Sequence, residues 1–510
     1  MIVLLAGINA RYAHTNPAIR AIRAYACDPA RGDPFRKADI RLYESHVNHP
    51  MDRIVRDLAE TDADVFGFSC YVWNIEQVLR ICDDLHCIRP DATILLGGPQ
   101  MVGGETDRAF LATHPDIDMM VSGEGEAPFY ALLHLFERAG RDLGDGVPGL
   151  TWSAGGKLRQ NAPGRRLDMA DLPFLYADGT DGLENHLLYY EASRGCPLGC
   201  SYCLSSADPT VRLRPLDRVI SELTCLASAG VQTIKLVDRT FNVDPGRAAA
   251  IWRHVASLRT ETRFHFEVAA HLLDEEGLLA LTGAPDGRFQ LEIGIQSIHT
   301  DVLLAVNRRA DIETTISRVR GLIAAGNLNV HLDLIAGLPG EGLGRFTQSF
   351  DTVFALRPAR LQLGILKILP GTPMLAIADR LGYRYSGHPP YRVLSTDALS
   401  FEDLSLLEDI GHLVDVYHNS GAFTATMERL TGNVASPFAL FLSLSGFWRR
   451  FGLFDRNVSR DEAASWLLQY TGLEAGTIRM MRQDFPRLKD EREWAAFLRR
   501  WIRPGTGDPL

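Results

Sequence analysis

The chain has 510 residues, 46% hydrophobic and 23% charged, with 53 Lys and Arg against 63 Asp and Glu for a formal net charge of −10. This composition excludes a disordered or fibrous chain, and the acidic balance argues against nucleic acid as the main partner, because such binders usually carry a basic footprint. At about 100–200 residues per domain the length provides for about three domains. No apolar run of about 18 residues or more occurs, so no membrane partner is expected. The opening MIVLLAGINARYAHTNPAIR reads as a first strand and not a signal peptide. Eight cysteines are too few for a disulfide scaffold and predict reduced thiols in a cytoplasmic protein.

Along residues 1–137, strand-like runs at Ile2–Leu5, Ile40–Tyr43, Val65–Ser69, Thr93–Leu96 and Met119–Val121 alternate with helical patterns at Pro17–Tyr25, Met51–Glu60, Ile75–Ile88 and Pro128–Glu137. Such alternation predicts an α/β, doubly wound (Rossmann-like) parallel sheet, with ligands at the carboxyl ends of the strands. The loops there carry the small and polar residues: Asn9, Tyr12 and Thr15 after the first strand, Ser69, Tyr71 and Trp73 after the third, Gly97-Gly98-Pro99 after the fourth, and Gly123, Glu124 and Glu126 after the fifth. Residues 138–185, rich in Gly, Asp, Pro and Arg, read as a linker with a short hairpin at Leu150–Arg159.

Residues 186–385 repeat the alternation. Strands are predicted at Leu187–Ala192, Thr233–Val237, Arg263–Val268, Phe289–Ile295, Asn329–Ile335 and Leu361–Lys367, separated by helices. Six such units with right-handed crossovers curl into a partial (β/α)6 barrel. Residues 390–510 carry helix-period apolar residues and predict a mainly α-helical C-terminal domain. Its aromatic residues Phe438, Phe441, Phe447, Trp448 and Phe451 are candidates to close the barrel mouth or bind an apolar substrate, or simply to pack a core.

Directly after the first barrel strand, Cys196, Cys200 and Cys203 stand in a CxxxCxxC loop. Three thiolates within eight positions can wrap one four-iron cluster and leave one iron without a protein ligand. Structural zinc is the alternative, and it normally needs a fourth Cys or His at short spacing; neither His186 nor Cys225 is so placed in sequence. Glu267, Gln296 and Asp333 lie within barrel strands, where turning into the helix layer would bury an unpaired polar group, so a lumen-facing orientation is expected. Arg308 is either a surface residue beside Arg309 or a cationic partner for a substrate carboxylate. Asp238, Arg239, Thr240, Phe241 and Asn242 end the second strand, either to position substrate or to form a structural turn.

With these residues in place, the sequence resembles the radical S-adenosylmethionine superfamily. The resemblance rests on the CxxxCxxC loop, His265-Phe266-Glu267-Val268, Ile293-Gly294-Ile295-Gln296-Ser297, Asn307-Arg308 and Asp333-Leu334-Ile335-Ala336-Gly337-Leu338-Pro339-Gly340-Glu341. It implies that Cys196, Cys200 and Cys203 hold a [4Fe–4S] cluster, that Tyr202 lies near the adenine of S-adenosylmethionine, and that Glu267, Gln296, Arg308 and Asp333 contact its methionyl or ribose part. The preceding domain, with Gly97-Gly98-Pro99, Gly123-Glu124-Gly125-Glu126 and Val147-Pro148-Gly149-Leu150, is similar to the cobalamin-binding branch of that superfamily. The strings INARYAHTNPAIR and GFSCYVWNIEQ further resemble a subgroup with a C-terminal helical domain of unknown function.

One departure concerns the cobalt. The DxHxxG motif that supplies a lower axial histidine in cobalamin mutases is absent: the first loop reads Ile8 to Asn16 without it, and Asp84-Leu85-His86 lacks the final Gly. His14 and His46 are the remaining histidines near the expected site. The resemblance implies an enzyme that cleaves S-adenosylmethionine reductively and methylates an unactivated carbon of a small-molecule substrate, with cobalamin as methyl carrier and an electron donor such as flavodoxin or ferredoxin. A radical cyclase or rearrangement enzyme, and a non-catalytic cobalamin-binding protein with a structural cluster, are the alternatives. A methylthiotransferase is disfavoured by the acidic charge and by the lack of three more suitably spaced cysteines in the first domain.

Overall fold

The computed structural model describes residues 1–31, 38–139, 146–154 and 156–501. Part of the expected linker (140–145), Gly155 in the expected hairpin, and Ile502 with the residues after it lie outside them. The first unit contains β1 (Ile2–Asn9), α1 (Pro17–Ala26), β2 (Asp39–His46), α2 (Met51–Ala59), β3 (Val65–Ser69), α3 (Ile75–Ile88), β4 (Thr93–Gly97), α4 (Gly104–Thr113), β5 (Met119–Val121), α5 (Glu126–Ala139), β6 (Leu150–Ala154) and β7 (Lys157–Gln160). Its sheet runs β2-β1-β3-β4-β5-β6-β7, parallel through β5 and antiparallel beyond it. β3 is buried along its whole length, as a strand covered by helices on both faces must be.

Two features depart from the sequence reading. The hairpin expected inside a linker is β6–β7, and it extends the sheet past residue 137. Helix α4 had no predicted counterpart, because it starts at Gly103 and Gly104, both at positive φ (82° and 68°), and two adjacent glycines read as loop.

The second unit opens with β8 (Leu187–Tyr190), the two-residue strands β9 (Ser193–Arg194) and β10 (Arg212–Leu213), and α6 (Leu216–Ser228). β11 (Thr233–Leu236), α7 (Pro245–Ser257), β12 (Arg263–Glu267), α8 (Glu275–Thr282), β13 (Phe289–Gln296), α9 (Thr300–Ala305), α10 (Ile312–Ala324), β14 (Asn329–Ala336), α11 (Leu343–Phe354) and β15 (Arg360–Ile365) follow. The six long strands form one parallel sheet, β15-β14-β13-β12-β11-β8, whose end strands do not pair with each other, so it is an open arc. Burial alternates strictly along β13, with the more accessible positions on the lumen side.

After α12 (Met374–Arg380) and the small pair β16 (Arg384–Tyr385) and β17 (Val393–Ser395), the chain is helical: α13 (Phe401–Val414), α14 (Thr424–Gly432), α15 (Pro437–Arg450), α16 (Arg460–Tyr470), α17 (Ala475–Asp484) and α18 (Glu491–Trp501). The helix-period runs of the sequence lie at Phe401–Asn419, Pro437–Phe451, Arg460–Gly472 and Glu491–Ile502, so α14 and α17 are additions to the expected set. Ser400 and Asp403 form a capping box at the start of α13. A π-helical turn at Asp415–Asn419 prolongs α13 and brings the Asn419 amide to the arc's edge, where Nδ2 donates to Leu361 O (2.8 Å) and Oδ1 accepts from Leu361 N (2.8 Å). The free backbone groups of edge strand β15 are thereby satisfied at Leu361, which blunts the edge as a template for pairing with another chain.

The aromatic residues of this region pack; they do not form a substrate surface. Phe438 and Phe441 meet Phe350 of α11 at centroid distances of 5.5 and 5.9 Å, and Trp448 donates to the buried Tyr417 hydroxyl (3.2 Å). The barrel and the C-terminal helices therefore share one hydrophobic core. Phe441→Ala is expected to cost about 3–5 kcal/mol, the usual range for emptying a buried phenylalanine site, read as a lower urea midpoint. Among the described residues no single helix is long and apolar enough to cross a membrane; α14 and α15 reach that length and apolarity only together, and they are bent by 112°.

Candidate functional site

The loop after β1 is drawn onto the first barrel strand. His14 bridges Leu187 in parallel, Leu187 N donates to Ala13 O (2.7 Å), and Thr15 Oγ1 donates to Leu187 O (3.1 Å). The carboxyl edges of the two sheets consequently face each other across one cavity of about 770 Å³. Ser69, Tyr71, Gly98 and Gly123 line it from one side, and Lys235, Arg239 and Glu267 from the other. Both edges are the ligand-binding ends of their folds, and the order β2-β1-β3 places the first sheet's switch point between β1 and β3.

The residues expected at this edge divide into three groups. Gly97, Pro99 and Gly123 line the cavity, as does Gly98, whose φ of 102° and closeness to the Cys70 backbone (an added Cβ would lie 2.7 Å from Cys70 O) admit no side chain. Tyr71 and Trp73 stack at 4.3 Å and 11°, with Trp73 50% exposed and burial raising the Tyr71 phenol pKa. Ser69 is buried and its hydroxyl makes no well-formed hydrogen bond with the described residues.

Asn9, Thr15, Glu124 and Glu126 also line the cavity, but their polar atoms are engaged with the chain itself. Asn9 Nδ2 donates to His14 O (2.8 Å) and Glu44 Oε2 (3.1 Å), fixing the loop. Arg194 pairs with Glu126 (2.6 Å), Glu191 (2.8 Å) and Glu124 (3.4 Å). Arg212, directly opposite Arg194 in the β9–β10 pair, also binds Glu124. Burial pushes the Glu124 carboxyl up, yet the bond from Arg212 and the charge of Arg194 outweigh it and hold its pKa below the ordinary value. These two glutamates, expected to contact a cofactor, clamp the first domain to the loop that carries the cysteines.

Tyr12 is a correction. It is 71% exposed, packs on His46 and His186 (5.9 and 5.4 Å) and does not line the cavity, although Asn9, His14 and Thr15 of the same loop do. Of the two histidines considered for the cobalt, His14 lines the cavity, with Nδ1 3.1 Å from the Tyr189 hydroxyl and its pKa lowered by burial, whereas His46 stacks on His49.

The cysteine loop is anchored independently at four points. Cys196 N donates to Asp208 O (2.8 Å), Asn307 Nδ2 to Gly199 O (2.8 Å), Ser201 N to Val306 O (2.9 Å) and Met374 N to Ser201 O (2.9 Å). Gly195 at φ 93° is required there, since an added Cβ would lie 2.2 Å from Thr210 O. Cys196 and Cys200 are buried and Cys203 is half-buried. His186 packs on Tyr12, Cys225 is exposed on α6, and among the described residues no three His, Cys, Asp or Glu side chains meet as ligands of a single ion.

On the barrel side, Arg308 is not a surface residue like Arg309. Its Nη2 donates to Gly294 O (2.5 Å), its Nη1 lies 3.5 Å from Cys200 Sγ, and its Nε is buried without a partner among the described residues. Gln296, at φ 69°, has a buried Oε1 with no partner among the described residues. Burial raises the Tyr202 phenol pKa, with Arg308 opposing and Cys200 adding to the rise.

Lys235 escaped the sequence reading. It bridges Glu292 (3.0 Å) and Glu267 (3.4 Å), while His265 Nε2 reaches Glu292 (3.0 Å). A lysine between two buried residues of an alternating strand was the available signal, by the same argument that picked Glu267. Asp238 accepts from Ser193 Oγ (2.5 Å) and Ala192 N (3.0 Å), and Asn242 bonds Ala269 N and O, so this turn is largely structural; Arg239 lines the cavity.

Burial, and then the charges of Glu292 and Glu267, push the Asp333 carboxyl from 3.8 up to about 7. A carboxyl pKa raised by folding weakens the folded state as pH rises between those values. Asp333→Asn is therefore expected to match the parent protein near pH 4 and to exceed it by about 2–4 kcal/mol at pH 8, at about 1.4 kcal/mol per pH unit, as read by urea unfolding.

The residues present fit the expected groups. Three soft sulfur donors on one short loop suit an iron–sulfur cluster. The unpartnered Gln296 Oε1 and Arg308 Nε beside Cys200 offer an acceptor and a cation for a ligand with amino and carboxylate groups. The side-chain-free Gly98 wall and the cavity volume suit close approach of a large cofactor to the first sheet.

Comparison with known proteins agrees with this geometry. Residues 4–133 match the B12 binding domain, residues 190–353 the radical SAM superfamily, and residues 379–507 a protein family of unknown function, DUF4080. The chain is 28% identical over 352 residues to 2-(S-pantetheinyl)-carbapenam-3-carboxylate methyltransferase of Streptantibioticus cattleyicolor, covering 63% of this chain and 50% of the relative. It is 27% identical over 342 residues to the cobalamin-dependent radical SAM methyltransferase TokK of Streptomyces tokunonensis, covering 63% and 49%. It thus spans about half the length of these curated relatives. Its fold is similar to that of the cobalamin-dependent S-adenosylmethionine radical enzyme OxsB (TM-score 0.64, 16% identity, 100% of this chain and 82% of that one). The radical S-adenosylmethionine methyltransferase TsrM of Kitasatospora setae has a similar fold too (0.61, 18%, 76% and 77%). The chain thus carries, in order, a match to the B12 binding domain, one to the radical SAM superfamily and one to DUF4080.

Proposed function

We propose that this protein is a cytoplasmic, cobalamin-dependent radical S-adenosylmethionine enzyme that methylates an unactivated carbon of a small-molecule substrate. The observation that carries the reading is the single cavity shared by the carboxyl edges of both sheets and bordered by the cysteine loop through Ser193, Arg194 and Gly195. A substrate in this cavity would lie between the first domain and the barrel mouth, the layering a radical methyl transfer requires. When bound, the cluster and S-adenosylmethionine supply a hydrogen-abstracting radical, and cobalamin supplies the methyl carrier.

The chain's own residues have definite tasks. Cys196, Cys200 and Cys203 hold the cluster, and the four anchors, three from the backbone and one from the Asn307 amide, keep their loop in place. Arg308 and Gln296 bind the carboxylate and amino ends of S-adenosylmethionine, with Glu267 and Asp333 facing its methionyl or ribose part and Tyr202 its adenine. Gly97, Gly98, Pro99 and Gly123 admit the cobalamin tail, and Ser69, Tyr71 and Trp73 lie against the corrin. A low-potential carrier such as flavodoxin or ferredoxin delivers the electron.

Anaerobic reconstitution followed by iron, sulfide, cobalt and zinc counts, then incubation with S-adenosylmethionine and a reductant, tests the proposal. Four irons per chain, release of 5′-deoxyadenosine and a product heavier by one methyl are expected. Zinc in place of iron, or no 5′-deoxyadenosine, overturns it. Product without mass gain would indicate cyclisation or rearrangement instead.

A further inference from the structure

We infer that Thr240 is a positioning residue of the cysteine site, whose hydroxyl donates a hydrogen bond to the Cys196 sulfur and thereby raises the reduction potential of a cluster bound there. The inference rests on the reading of Cys196 as a cluster ligand. Thr240 is buried, and its Oγ1 lies 3.4 Å from Cys196 Sγ, within hydrogen-bond range for sulfur.

The two atoms are brought together by the fold. Cys196 follows β8 and Thr240 follows the adjacent strand β11, and Asp238 ties the two strand ends together through Ala192 N and Ser193 Oγ. Phe241, packed on Phe266 at 4.6 Å, and Asn242, bonded to Ala269 N and O, pin the turn immediately after Thr240. The turn therefore fixes the Thr240 backbone beside the cysteine loop, and in the rotamer present the hydroxyl faces the sulfur.

Chemistry assigns the direction of the bond. A ligating Cys196 is a thiolate and can only accept, whereas threonine has one hydroxyl hydrogen to give. The alternative acceptor is Arg239 O, 2.8 Å away in the neighbouring residue, which is neutral, and a bond to an anionic acceptor is the stronger of the two. Reduction by one electron from an external low-potential reductant adds negative charge to the cluster and its sulfurs. A donor aimed at one sulfur stabilises the reduced form more than the oxidised form, and hydrogen bonds to the sulfurs are among the determinants of such potentials.

The test compares reconstituted wild type with Thr240→Val, Thr240→Ala and Thr240→Ser, titrated with dithionite and followed by electron paramagnetic resonance of the reduced cluster. Val and Ala are expected to keep the wild-type iron and sulfide counts but to need a more negative potential. At fixed potential their reduced-to-oxidised ratio falls by about three- to tenfold, tenfold being 59 mV for one electron. Ser is expected to restore the wild-type value. Coincident midpoints for all four proteins overturn the inference. So does failure of both Val and Ala to hold iron while Ser succeeds, which would make the hydroxyl an assembly requirement. A wild type that takes up no iron defeats the functional reading itself, whereas normal iron with no shift defeats this inference alone.

Discussion

Cys200→Ala is expected to reduce 5′-deoxyadenosine formation to the level of a protein-free control and to remove most of the iron after anaerobic reconstitution, with little change in the unfolding midpoint. The loop around Cys200 is held by Asn307, Val306, Met374 and Asp208 through backbone and amide bonds that do not involve the thiol. The fold should therefore survive the loss of the sulfur. The chemistry should not, because three donors are the minimum that leaves one iron open while retaining the cluster. Cys225→Ala, at an exposed position on α6, is the matched control and is expected to keep full iron content and activity. Equal iron in the two variants would remove Cys200 from the ligand set.

Arg194→Ala is expected to destabilise the protein by about 3–5 kcal/mol, the range for removing one partner of a buried ion pair and leaving the other uncompensated. Its side chain is 14% exposed and faces Glu126, Glu191 and Glu124, so three carboxylates lose their shared cation. The effect should exceed that of deleting any single glutamate. Arg194→Lys should recover only part of it, since a point-charge ammonium cannot replace a planar fork that serves several carboxylates at once. Because Glu124 is held below its ordinary pKa, its contribution to the clamp is present above about pH 4.5 and is lost as pH falls through its lowered folded value. Urea unfolding at pH 7 and at pH 4 measures both effects: the gap between parent and variant should narrow at the lower pH. An equal gap at both would show that the charges are not what joins the first domain to the cysteine loop.

The sequence by itself determined the three-part organisation, the strand-helix alternation and the cysteine trio. Each is a local property: strands with one or both faces covered write their period into neighbouring residues, and three ligands within eight positions need no distant partner. The glycine turns at the carboxyl ends of the first sheet were legible for the same reason, since Gly98 answers to a backbone conformation of its own. Glu267, Gln296 and Asp333 were legible as lumen residues because a polar group in a barrel strand has only one tolerable side. What those residues touch was decided by the tertiary structure. Glu124 and Glu126 were read as cofactor contacts, but partners 88 and 68 residues away, Arg212 and Arg194, engage them. Tyr12 was read into the site but packs outside it on His46 and His186, the latter far along the chain, a contact that no local pattern encodes. The opposition of the two sheet edges, the covering of β15 by Asn419 and the approach of Thr240 to Cys196 are likewise long-range. Spacing in the chain reports the backbone's own geometry, whereas the choice among many possible charge and hydrogen-bond partners is made only when burial removes water as the alternative.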